Sequence, residues 1–157
     1  MFQIGDKIVY PMHGAGVIVG IEQKTILGEA HNYYVMQLSV SSMRVMLPTN
    51  NTDAIGVRDI VSPGTADEVI EYFRTCDEET EQSWNRRYRE NIDKMKRGNL
   101  FDIALIAKTL TLRDRRRALS NAERKMLSNA KSILISELVL AKQSTYEDME
   151  TLLMSEI

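Results

Sequence analysis

At Pro63-Gly64 the chain changes period, and that switch constrains the fold more than any other feature. Before it, β-branched and apolar residues come in short runs broken by turn residues; after it, they recur at helical spacing. Ile8-Val9-Tyr10 is a β-favouring run, stopped by Pro11 and the turn-rich His13-Gly14-Ala15-Gly16. Val17-Ile18-Val19-Gly20-Ile21 predicts a second strand, and Lys24 to Glu29 a strand end turning at Gly28. Tyr33–Leu38 and Met43–Pro48 predict a third and a fourth, with Ile55-Gly56-Val57-Arg58 closing the set as a fifth. Short strands at roughly ten-residue spacing with tight turns favour a small antiparallel barrel or curled sheet.

The second part reads as helices. Val69, Ile70, Tyr72 and Phe73 alternate with acids, which predicts an amphipathic helix over about 65–74. The polar stretch 75–83 reads as a linker or loop. Ser83 is a candidate N-cap for a helix from Trp84 to Arg97, closed by Gly98. Asn99 caps the next, which turns Leu100, Ile103, Ile106, Ala107 and Leu110 inward and ends in Arg113-Asp114-Arg115-Arg116-Arg117. Ser120-Asn121-Ala122-Glu123 has the form of a capping box and opens a helix with Leu127, Ile133, Leu134, Leu138 and Val139 as apolar positions. A short acidic amphipathic helix over Tyr146–Met154 ends the chain. The fold class is therefore α+β, a β domain over residues 1–60 and an all-α domain over 61–157.

Whole-chain totals conceal the charge pattern. The net charge is −2, yet residues 84–142 carry 15 Lys/Arg against 6 Asp/Glu, net +9. Residues 61–83 before them are net −6, residues 143–157 after them net −4, and residues 1–60 net −1. One electropositive module flanked by acidic segments suits a polyanionic partner, although solvated helical faces give the same pattern. No apolar run approaches the roughly 20 residues that span a bilayer, and no signal-peptide pattern opens the chain. A single cysteine, Cys76, forms no internal disulfide, which fits a reducing cytoplasm. One Cys and two His, His13 and His31, without ligand spacing predict no metal, and nothing calls for a cofactor. No glycine-rich phosphate loop or nucleophile–base pairing is present, so we expect no enzyme activity.

Trp84, the only tryptophan, stands where the charge changes sign, between Asp77-Glu78-Glu79 and Arg86-Arg87-Tyr88-Arg89. On a helix it shares an apolar stripe with Tyr88, Ile92 and Met95, which reads as a buried face. At the first turn beside three arginines, it equally reads as an apolar wedge for a distorted minor groove. Residue types alone leave both readings open. A second cationic group, Arg113, Arg116 and Arg117 with Arg124, Lys125 and Lys131, flanks the Ser120 turn and suits phosphate contacts that position without reading sequence. DNA affinity from these alone would be weak and salt-sensitive, so a second anchor is needed.

Three stretches carry a family resemblance. Gly5-Asp6-Lys7-Ile8-Val9-Tyr10-Pro11-Met12-His13-Gly14-Ala15-Gly16 resembles the opening signature of the bacterial CarD/CdnL transcription regulators, shared with the polymerase-binding module of the transcription-repair coupling factor. Trp84-Asn85-Arg86-Arg87-Tyr88-Arg89-Glu90-Asn91 is similar to that family's DNA-facing motif, and Leu119–Leu127 to a second stretch of its helical domain. The resemblance implies a Tudor-like N-terminal barrel that binds the RNA polymerase β subunit, and a helical domain on promoter DNA at the upstream edge of the bubble. It implies Trp84 as the wedge and Arg86, Arg87 and Arg89 as backbone contacts, beside the candidate contacts Arg116, Arg124, Lys125 and Lys131. Lys24 falls at a polymerase-contacting position. A second such position, arginine in relatives, is Met46 here, with Arg44 two residues earlier on the same strand face. A monomer acting in the cytoplasm, at the nucleoid, is the expectation. Two other readings are a polymerase-docking module with Trp84 buried, and an RNA or ribosome binder.

Overall fold

The computed structural model describes residues 1–77, 84–155 and 157, with the side chains of residues 84 and 85 outside the description. The candidate N-cap Ser83 and most of the 75–83 linker therefore lie outside the described residues.

Five strands, β1 (Lys7–Tyr10), β2 (Gly14–Ile26), β3 (Glu29–Leu38), β4 (Arg44–Pro48) and β5 (Arg58–Asp59), form one antiparallel sheet in the order β4-β3-β2-β1-β5. The expected runs at 17–21, 24–29 and 33–38 prove to be one long hairpin. Leu27 and Gly28, at φ 52° and 80°, supply the two left-handed residues of a tight two-residue turn. A bulge between Ile18 and Gly20 lets β2 continue past the sheet core. The expected fifth strand is corrected. Thr52–Ile55 is a one-turn helix, α1, and Gly56 ends it at φ +90° with its N–H on Thr52 and Asp53 carbonyls. A left-handed Gly56 breaks the extended path, so only Arg58 and Asp59 remain to pair with Val9 and Ile8.

Ile8, Ile18, Met36 and Leu47 are wholly buried at the centre of this module, with Tyr34, Leu38 and Val57 around them. The Tyr34 hydroxyl accepts the Phe2 N–H at 3.1 Å, so a buried phenol is satisfied. Gly16 lies where β2 and β3 meet most closely: a Cβ there would stand 2.3 Å from the Gln37 carbonyl oxygen. That oxygen belongs to the ladder and has little room to retreat. Gly16→Ala is expected to destabilise by about 1–3 kcal/mol through overpacking, read as a fall in the urea midpoint at unchanged slope. An unchanged midpoint would show that the strands separate at little cost.

The helices are α2 (Pro63–Thr75), α3 (Trp84–Arg97), α4 (Leu100–Arg116), α5 (Asn121–Lys142) and α6 (Tyr146–Ser155). Their starts follow local chemistry. Ser62 Oγ accepts the Thr65 N–H ahead of a first-turn proline, and Asn99 Oδ1 accepts from Phe101 and Asp102. Both halves of the Ser120–Glu123 capping box form. Phe73, Met95, Ile103, Ile106, Leu134, Ile135 and Leu138 fill a second core. Met149 and Leu153 of α6 join it, so the acidic C-terminal segment docks rather than frays.

The two cores meet across α5. Ala15 N–H donates to Ser136 Oγ at 2.8 Å, and Ser39 Oγ donates to the Ser136 carbonyl at 2.9 Å. Gly14, at φ +104°, permits the approach, since a Cβ would lie 2.8 Å from Ser136 Oγ. Arg58 then grips Glu137 through both guanidinium ends, at 2.7 and 2.8 Å, and also donates to the Gly98 carbonyl. Glu137, 1% exposed, accepts the Val61 N–H as well.

Candidate nucleic-acid interface

Helix α3 owes its orientation to its C-terminal half. Met95 is fully buried, while Ile92 and Tyr88 on the same stripe are half-buried, so burial declines toward the N-terminus. Trp84 is the first helical residue, and its side chain, the central expectation from sequence, lies outside the description. The arginines behind it separate by angular position. Arg86 and Arg89 are exposed on the face away from Met95. Arg86 Nε donates to Glu90 Oε1 at 3.0 Å, an i,i+4 surface pair worth a few tenths of a kcal/mol. Arg87 is more enclosed, with its guanidinium 3.9 Å from Glu90.

The second group needs correction. Arg113 is a structural cation: its side chain is 13% exposed and pairs with Glu123 at 3.1 Å, tying the end of α4 to the start of α5. Lys131 is half-buried and held by Glu150 of α6 at 2.6 Å. Arg116, Arg124 and Lys125 are exposed around the corner between the helices. Arg124 Nε and Nη2 both donate to the Leu119 carbonyl, which fixes its plane.

Two further cations of the segment are paired within the chain, one at the surface and one in the core. Lys142 pairs with Asp67 at 2.6 Å, and buried Lys108 donates to the carbonyls of Arg74 and Cys76 at the end of α2. The outward field is therefore narrower than a segment charge of +9 suggests. Burial also pushes the Cys76 thiol up from its ordinary range, with Lys108 opposing, which keeps it protonated and a poor nucleophile.

On the sheet, register decides which residues share a face. Val45 and Leu47 oppose Met36 and Tyr34 on the core side, so Arg44 and Met46 face the other way. Lys24, opposite His31, has the same parity and lies on that outer face. The three candidate polymerase contacts thus share one surface. Lys24 and Arg44 are exposed, Met46 half-buried, and Arg44 Nε donates to Gln37 Oε1 at 3.1 Å. Lys24 stands on the two-stranded part of the hairpin, beyond the last β4 pair at Tyr33–Pro48.

Sequence reasoning missed Arg58, Ser136 and Glu137. A signal existed for the last: Glu137 interrupts the apolar run Ile133-Leu134-Ile135 and Leu138-Val139, and a carboxylate on a buried helix face requires a partner. Nothing local names Arg58 as that partner.

Comparison with known proteins accounts for both modules. The CarD-like/TRCF RID domain matches residues 2–61, and the CarD C-terminal domain matches residues 68–154. The chain belongs to the CarD family. A Bacillus subtilis (strain 168) relative named "Putative transcription factor YdeB" is 38% identical over 151 residues, covering 96% of this chain and 99% of the relative. The solution structure of the 72-residue N-terminal domain of Myxococcus xanthus CarD is 30% identical over 38% of this chain and 79% of that one. Its TM-score of 0.33 is too low to carry a fold assignment. This CarD-family chain is thus a member of a transcription-factor family, and the opening signature acquires a physical meaning. Gly14, Ala15 and Gly16 are where β2 meets α5 and β3. Among the described residues no helix is long and apolar enough to cross a membrane, and no group of three or more His, Cys, Asp or Glu is placed to hold a metal.

Proposed function

We propose that this CarD-family chain regulates transcription by binding the RNA polymerase β subunit through its sheet module and stabilising the promoter open complex through its helices. Arg86 and Arg89 would hold backbone phosphates while Trp84 enters the distorted minor groove at the upstream edge of the bubble. The observation that carries the reading is α3: a helix anchored by Met95 at one end, with Trp84 and two exposed arginines at the other. Lys24, Arg44 and Met46, on one face of a separate module, supply a surface for the second anchor. Arg58–Glu137 joins that module to the helices, so tethering at one site raises the effective concentration at the other. A contact made only with open DNA shifts the closed–open equilibrium by its differential affinity and no more. The same stabilisation speeds initiation at an unstable promoter and slows escape from a stable one. No catalysis or cofactor enters this role.

The test pairs two measurements on the full chain: binding to an isolated polymerase β fragment, and promoter opening followed by a fluorescent base at the upstream bubble edge. Binding together with an increased open fraction is expected. Binding with unchanged opening would make the chain a docking module, and RNA binding without β binding would favour the ribonucleic-acid reading.

A further inference from the structure

A cavity of about 440 Å³ opens between α5, the start of α6 and the loop after β3, a volume within the range of small-molecule sites. Its lining is divided. Val40, Leu127 and Tyr146 give apolar surface; Arg124, Ser128, Lys131 and Ser132 give donors from one face of α5, at helical spacings of four and three residues. These donors have capacity left. Arg124 spends Nε and Nη2 on the Leu119 carbonyl, which leaves Nη1 for a ligand. Among the described residues, the hydroxyls of Ser128, Ser132 and Tyr146 make no intramolecular hydrogen bond. Lys131 gives one donor to Glu150 and has two more.

Two cations and three hydroxyls around one cavity call for an acceptor-rich anion, and the apolar side calls for a flat ring attached to it. We infer that this cavity binds a nucleoside phosphate, its phosphate between Arg124, Lys131 and the Ser128 and Ser132 hydroxyls and its base beside Tyr146 and Leu127. Glu150 is the built-in competitor: its carboxylate holds Lys131 at 2.6 Å where a phosphate oxygen would sit, so ligand and α6 contend for one ammonium. The occupant is a free nucleotide; a nucleotide of a DNA strand is the alternative that the test separates. Arg124 and Lys131 are candidate DNA contacts in the sequence, but the cavity rests on its own lining.

The probe is the ¹H–¹⁵N spectrum of the full chain, titrated separately with ADP and with a short DNA duplex. ADP is expected to shift the Ser128, Ser132 and Tyr146 amides saturably. Ser128→Ala with Ser132→Ala should weaken it about fivefold, for two lost hydrogen bonds, without lowering Tm, since alanine favours a helix. Glu150→Gln should tighten it about threefold by releasing Lys131. If the duplex, and not ADP, shifts these amides, the cavity belongs to the DNA surface and the free-nucleotide site is overturned. If neither does, or if the serine variant binds ADP as well as wild type, the inference is overturned. The DNA reading is scored apart, by the Arg86 and Arg89 amides. A duplex that moves those alone sinks the cavity proposal together with a silent ADP titration and leaves the DNA reading intact; ADP shifts in the cavity with no duplex effect anywhere do the reverse.

Discussion

Arg58→Met is expected to lower the unfolding free energy by about 3 kcal/mol, the largest stability effect of any single side chain at the junction of the two cores. Glu137 is 1% exposed and carries two guanidinium contacts and the Val61 N–H; without Arg58 it keeps the amide alone in a site closed to water. Breaking a buried pair from one side costs about 3–5 kcal/mol, and the one-third exposure of Arg58 puts this case at the lower end. The two partners are unequal. Glu137→Gln leaves an arginine that can turn toward solvent and retains its bonds to the Gly98 and Asp59 carbonyls, so it should cost less than Arg58→Met. Arg58→Lys should recover only part of the loss, because an ammonium cannot reproduce the two parallel bonds. Urea unfolding by circular dichroism measures all three. A loss below about 1 kcal/mol for Arg58→Met would mean that water reaches Glu137 and the junction is held by packing around Ala15 and Ser136.

This pair also shows what a sequence can and cannot disclose. Helix starts were legible because they are local: Asn99 and the Ser120–Glu123 box use partners within three residues, and both formed as read. The inward face of α4 was legible from its period, and Leu100, Ile103, Ile106, Ala107 and Leu110 are all buried. Strand boundaries were less so, since a bulge at Val19 and a one-turn helix ending at Gly56 depend on what lies across the sheet. Long-range partners were not legible. Arg58 and Glu137 are 79 residues apart, and nothing near either names the other. The cationic group at the α4–α5 corner was over-read for the same reason. Arg113 and Lys131 look unpartnered in sequence, yet Glu123 and Glu150 pair with them in the fold. Arg86, Arg89, Arg116, Arg124 and Lys125 remain exposed.

Trp84→Ala is expected to remove the gain in open complex while leaving the fold and β-fragment binding intact. An indole stacked in the bubble edge contributes about 1–3 kcal/mol, so the open-to-closed ratio with the variant should fall about 5- to 150-fold from the wild-type level. The fold should survive for a structural reason. The helical core is closed by Met95, Phe73, Ile103 and Leu138, while Trp84 occupies the first turn of α3, where the stripe has already become half-buried at Tyr88. Alanine at a first turn favours the helix, so truncation does not withdraw backbone support from Arg86 or Arg89. Trp84→Phe separates shape from charge: a smaller aromatic should keep part of the effect, whereas loss of an arginine should weaken binding in a salt-dependent way. Melting curves, β-fragment affinity and promoter opening on the same preparations decide the matter. A Trp84→Ala protein that melts well below wild type, by the 3–5 kcal/mol that emptying a tryptophan site from a core costs, would place the indole inside the helical module. The DNA contact would then have to come from Arg86 and Arg89 alone, and a phosphate contact without a wedge gives little reason to prefer open DNA over closed.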